Sequence, residues 1–151
     1  MILSTHFVTG AAVASYTDNP ILLVILPIIL HFVLYLFPHW QYAHTVSELH
    51  RKKIQLILDI VSGPLIIFLV LGLFKLNSQN WFLFFIAGSM GILPDGLTML
   101  KILFPQNNIL RKIYTFHSLI QPKKHLRFIS GFTYQSILLF LALALITLSK
   151  A

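Results

Sequence analysis

The stretch HFVLYLFPHW, residues 31–40, closes an apolar run and sets His31, Tyr35 and His39 four residues apart. That spacing places all three on one side of a helix. His6, Asp59 and Asp95 interrupt other apolar segments, and His117 stands in a more polar one. The chain has only four acids, yet two of them, Asp59 and Asp95, lie in apolar surroundings. A charged side chain at membrane depth costs about 2.5–3.5 kcal/mol on insertion scales and marks a site by default. Neutral imidazole and carboxylate are the usual nitrogen and oxygen ligands of zinc, and they also suit manganese or iron. A divalent ion would neutralise buried carboxylates and lower the pKa of a water held beside it. The candidate ligands are therefore His6, His31, His39, Asp59, Asp95 and His117, with zinc the first choice of ion.

These residues need elements to bring them together. The chain of 151 residues is 57% hydrophobic and only 10% charged, against about 25% charged in an ordinary soluble domain. Its apolar residues come in blocks close to the roughly 20 helical residues that cross a bilayer. This predicts an all-α protein, one multi-span bundle over residues 1–151 with four to five apolar helices. The segments are 3–16, 20–37, 54–74, 81–104 and 128–148. The first is short, and the fourth is expected to break at Pro94-Asp95-Gly96, because broken backbone at membrane depth survives where it is buried or lines a cavity. Small residues at Gly10, Ala11, Ala14 and Gly63 allow close helix contact. The absence of cysteine excludes disulfides and thiolate metal sites. Residues 1–15 carry no Lys or Arg ahead of the apolar part and make a poor signal peptide.

The formal charge of +7 reads as topology rather than nucleic-acid binding. Arg51, Lys52 and Lys53 lie in or beside the connection 38–53, and Arg111, Lys112, Lys123, Lys124 and Arg127 in 105–127, so eight of eleven basic residues fall in two connections. The positive-inside rule makes both cytoplasmic in a cell (inner) membrane. Residues 3–16 then either span or form a re-entrant partner of the second segment. This arrangement brings His6, His39, Asp59, Asp95 and His117 toward one membrane face without having used their positions. Pro38 would stop the second helix there, and Trp40 would mark the interface. Membrane lipids are the expected partners, and the basic residues suit anionic headgroups.

Plainer readings compete. Asp59 could pair with Gln55 or an imidazole as glue between spans, His31 could be an interior histidine in local contact with Tyr35, and His39 and Trp40 could belong to an aromatic belt. His44 and His50 lie among polar residues, and His125 beside Lys123 and Lys124 suits a headgroup. A non-catalytic membrane protein that folds around its polar groups is one alternative. An ion or proton transporter using Asp59 and His31 as a relay is another.

Thr5-His6 followed by Gly10, Gly-Ile-Leu-Pro-Asp at 91–95, and Phe116-His117-Ser118 resemble the small membrane-bound metal-dependent hydrolases of the YdjM type. That family has an early His-xxx-Gly, a Gly-x-x-x-Pro-Asp element, one residue longer than Gly91–Asp95 here, and a Thr-His-Ser element between apolar helices. A divergent bacterial branch carries His-Phe-x-x-Asp-x-x-Pro-His-Trp, and residues 31–40 are similar to it except at one position. The resemblance implies a metal-dependent hydrolase and implicates His6, His31, His39, Asp95 and His117 in its site; the location at the membrane face and the basic connections suggest a lipid-linked ester or phosphoester as substrate. Asp59 fits as a span carboxylate. Two departures reduce the charge available for two metals: Tyr35 stands where the branch has Asp, and Gly96 follows the Pro-Asp element where a second acid is common.

Overall fold

The computed structural model describes residues 2–37, 39–40, 48, 51–74, 81–120 and 126–149. Pro38, His44, His50, Lys75, Lys123, Lys124, His125 and Lys150 lie outside the described residues. The protein is all-helical over the described residues. Its elements are α1 (Leu3–Ala12), a short 3-10 turn (Val13–Ser15), α2 (Pro20–Tyr35), α3 (Lys53–Leu73), α4 (Trp81–Leu103), α5 (Asn108–Ile120) and α6 (Phe128–Leu148).

Among the described residues three helices are long and apolar enough to cross a membrane: Lys53–Leu73, Trp81–Lys101 and Phe128–Leu148. Their outer faces carry large exposed apolar side chains such as Phe68, Phe82, Phe140 and Leu141, the pattern of helices solvated by hydrocarbon rather than water. α2 is shorter, 16 residues, or about 24 Å of rise against the roughly 30 Å of a bilayer core. Asn19 begins it, its side-chain oxygen accepting from the Ile21 and Leu22 amides at 2.9 and 3.4 Å, and Pro20 fills the first helical position where no N–H is needed.

The shortest apolar helix is the most enclosed. All ten residues of α1 are buried, and it packs against α4, α3, α6 and α2. At about 15 Å it is too short to span. Phe7, Val8, Ala11 and Ala12 join Leu23, Ile67, Leu71, Phe84 and Ile146 in the apolar core. The start of a buried helix leaves amides without partners, and α1 has no side-chain cap of its own. Its neighbours supply the acceptors. The Leu3 and Ser4 amides donate to the two Asp59 carboxylate oxygens at 2.7 and 2.8 Å, and the Ile2 amide donates to Gln135 Oε1 at 2.8 Å. Gln135 in turn donates to the Trp40 and Gly131 carbonyls at 3.0 and 3.2 Å.

Backbone contact sets the depth of α1 against α4. A Cβ on Gly10 would come 2.8 Å from the Ala87 carbonyl oxygen, and one on Gly91 would come 2.5 Å from the His6 carbonyl oxygen. Both positions need hydrogen where any other residue has carbon.

Two expectations are corrected here. α4 runs through Pro94-Asp95-Gly96 without a break. The proline removes one N–H from the helical ladder and crowds the carbonyls of the preceding turn. The Gly91 carbonyl in that turn gains a partner from outside, His31 Nδ1 at 2.8 Å, and a neighbouring helix of this kind is what allows proline inside a span. The connection 105–127 is also not simply a loop, since it contains α5. Asn107 starts that helix, accepting from the Ile109 and Leu110 amides at 2.9 and 3.1 Å. Arg111, Lys112, Thr115 and Ser118 lie on one side of it, and His117, its buried residue, on the other.

Candidate metal centre

Four helices converge on one cluster. α1 contributes His6, α2 His31 and Tyr35, α4 Asp95, and α5 His117. His6, His31 and Asp95 can each offer a ligand atom with all three atoms within 4.8 Å of one another. The His6 and His31 rings lie 4.2 Å apart between centroids, and Tyr35 stacks on both, at 5.0 and 4.7 Å.

The hydrogen bonds fix the proton positions. A carbonyl only accepts, so the 2.8 Å contact to Gly91 O puts the His31 proton on Nδ1. The lone pair is then on His31 Nε2. That atom lies 3.2 Å from His117 Nε2 and 3.9 Å from Asp95 Oδ1. His117 Nε2 is also 3.2 Å from Asp95 Oδ1, so it carries the proton shared between the two acceptors. Tyr35 donates its hydroxyl to the same Asp95 oxygen at 2.8 Å. Asp95 is thus the negative charge around which the cluster is arranged.

His6 is the exception. It is 1% exposed, and neither ring nitrogen has a hydrogen-bond partner among the described residues. An unmet buried polar group costs about 1–3 kcal/mol. The donor set therefore fits a divalent ion on three counts: an imidazole lacking any other partner, a second whose Nδ1–H is held by a backbone carbonyl in the manner of metal-bound histidines, and a carboxylate to balance the charge.

Of the other expected ligands, His117 joins this set, while His39 and Asp59 make other contacts. His39 is fully buried, its Nδ1–H donating to the Phe37 carbonyl at 2.8 Å and its ring 5.0 Å from Tyr35. It packs on the cluster through Tyr35. Asp59 holds the start of α1, with both oxygens occupied by backbone amides, where a negative charge also complements the helix dipole. His117 bridges His31 and Asp95 from the side. Tyr35 at the position of an Asp in the resembling branch keeps an oxygen in the cluster but presents it as a donor to Asp95. A Cβ at Gly96 meets nothing within 4 Å, so a side chain there would leave α4 into open space. Sequence reasoning missed Gln135 and the Gly91 carbonyl. Gln135 had a signal, an amide inside an apolar span, whereas a backbone carbonyl has none.

The role of Asp59 makes a prediction separable from the cluster. Asp59→Asn leaves one α1 amide facing an NH2 group instead of an oxygen. The variant is expected to lose about 2 kcal/mol of stability, read as a lower thermal midpoint in detergent, while the folded fraction keeps the metal content of the wild type.

No known family model, curated protein or solved structure matches this chain.

Proposed function

We propose that this is an integral-membrane, metal-dependent hydrolase with one divalent ion held by His6, His31 and Asp95. The observation that carries the reading is the buried His6 with two unpaired ring nitrogens, set beside an imidazole lone pair and a carboxylate. Zinc suits two nitrogens and one oxygen best, and manganese or iron is the next choice. When bound, such an ion supplies Lewis acidity and a water of lowered pKa.

The chain's own residues have distinct parts in this reading. The Gly91 carbonyl and Tyr35 orient His31 and Asp95. His117, more exposed than His6 and His31, uses Nε2 for the cluster and keeps Nδ1 to hold or deliver a proton. That pairing of an imidazole with an orienting carboxylate is the usual design of a general acid–base. The substrate class we assign is an ester or phosphoester of a membrane lipid, reached from the cytoplasmic face where the basic connections 38–53 and 105–127 belong by the positive-inside rule. The resemblance to YdjM-type hydrolases supports the same assignment.

A second reading has its own observation. Asp95 Oδ1 already accepts from Tyr35 and lies 3.2 Å from His117, so most of the network is satisfied by protein groups alone. This favours a non-catalytic membrane protein whose cluster holds four helices together. Elemental analysis of detergent-purified protein beside His6→Ala separates the two. The hydrolase reading expects about one equivalent of metal, lost in the variant, and lipid-ester or phosphoester turnover that chelation removes and the ion restores. Metal-free wild type after reconstitution would leave the structural reading standing.

A further inference from the structure

Behind the cluster lies an open apolar cavity of about 380 Å³. α2 lines it with Ile28 and Phe32, α4 with Leu93 and Leu97, and α5 with Phe116 and Lys112. Its volume is within the range of small-molecule sites, and it opens on the outside of the bundle. Three of its lining residues, Phe32, Pro94 and Phe116, are sequence neighbours of the cluster residues His31, Asp95 and His117. Phe32 follows His31, Phe116 precedes His117, and the two phenyl rings meet edge to face at 5.4 Å, with Phe32 6.0 Å from the His117 ring.

Among the described residues, Lys112 is the only charge on this lining. Neither Lys112 nor Arg111, its neighbour on α5, has a carboxylate partner among the described residues, and α5 carries no acid. α5 also has the build of a helix that lies in a membrane interface. Arg111, Thr115 and Ser118 make one side polar, while Ile109 and Phe116 are exposed apolar residues beyond Lys112. An interfacial helix would set Lys112 at headgroup level with the apolar cavity on its hydrocarbon side.

We propose that this cavity is a binding site for an anionic glycerophospholipid, with an acyl chain along Phe32, Leu97 and Phe116 and the headgroup phosphate on Lys112. The shape alone would take any acyl chain. The lysine at its edge, with no carboxylate partner among the described residues, selects an anionic one, since each basic residue at a membrane surface favours anionic lipid. This deepens the hydrolase reading and rests on it only for the claim that the lipid held here is presented to the cluster. Binding is measured without turnover.

The test uses the full-length protein in nanodiscs containing photoactivatable phosphatidylglycerol or phosphatidylcholine, with the reactive group on the acyl chain. Labelled peptides are expected from residues 28–32, 93–97 and 113–116, with phosphatidylglycerol favoured. Lys112→Glu should reduce that preference by about fivefold or more. Leu97→Trp should lower labelling by both lipids by filling the cavity. His6→Ala should leave labelling unchanged, so loss of metal or turnover and loss of lipid binding are read separately. Equal labelling by the two lipids, no response to Lys112→Glu, or cross-links from this surface to a second copy of the chain would overturn the proposal.

Discussion

Asp95→Asn is expected to abolish metal binding while leaving the bundle folded. Asparagine keeps an oxygen that can accept from Tyr35 and His117, which now lie 2.8 and 3.2 Å from Asp95 Oδ1. It removes the only charge in the donor set that could neutralise a divalent ion. Supporting contacts around metal sites are already worth about 10–100-fold in affinity, so loss of the anionic ligand should weaken binding by at least about 100-fold. Asp95→Ala goes further. It takes the Asp95 acceptor from the Tyr35 hydroxyl, at about 1–3 kcal/mol for an unmet group, and leaves the His117 N–H with His31 Nε2 alone. The measurement is a thermal melt with and without added zinc. A ligand that binds the native state raises its midpoint by mass action, so wild type should shift and Asp95→Asn should not. An equal zinc shift in both proteins would remove Asp95 from the site.

What the sequence made legible follows from where each signal resides. Apolar blocks near 20 residues long announced the spans, because lipid acts on every outward side chain of a helix. His6, His31, Asp95 and His117 stood out because polar groups are rare in such blocks, and all four meet. Asp59 stood out for the same reason, yet its partners are the Leu3 and Ser4 amides. Backbone donors have no letter in the sequence, so a carboxylate that caps a buried helix looks the same as one that binds an ion. Pro94 misled in a related way. Its expected break is absent: the helix continues through it, and the Gly91 carbonyl in the turn before it accepts from His31 on another helix. α5 was hidden by its polarity, being an amphipathic helix among long apolar ones.

These observations make α1 the organising element of the molecule. It is short, wholly buried, and held at its start by α3 and α6. A helix of this kind cannot be positioned by lipid, which it does not meet, so its depth depends on packing against α4. That contact is backbone on backbone. The His6 carbonyl oxygen would lie 2.5 Å from a Cβ at Gly91. His6 is the residue that brings the unpaired imidazole, and Gly91 is the residue whose carbonyl fixes the His31 tautomer. One close approach therefore sets two of the three proposed ligands.

Gly91→Val is accordingly expected to do more damage than its size suggests. Overpacking a well-filled interior costs about 1–3 kcal/mol when side chains can move aside. Here the obstacle is main chain inside a helix, so the loss should reach about 3 kcal/mol or more, and His6 should be displaced from His31 and Asp95. Gly96→Ala, one helical turn and a residue later, is the matched control. Its Cβ meets nothing within 4 Å, and alanine is favoured over glycine in a helix by about 1 kcal/mol. Melting curves and zinc titrations in detergent should show Gly91→Val with a lowered midpoint and no zinc shift, and Gly96→Ala with a midpoint at or above wild type and the shift intact. Were Gly91→Val to melt and bind zinc as wild type does, the close packing of α1 on α4 would not be what builds the site.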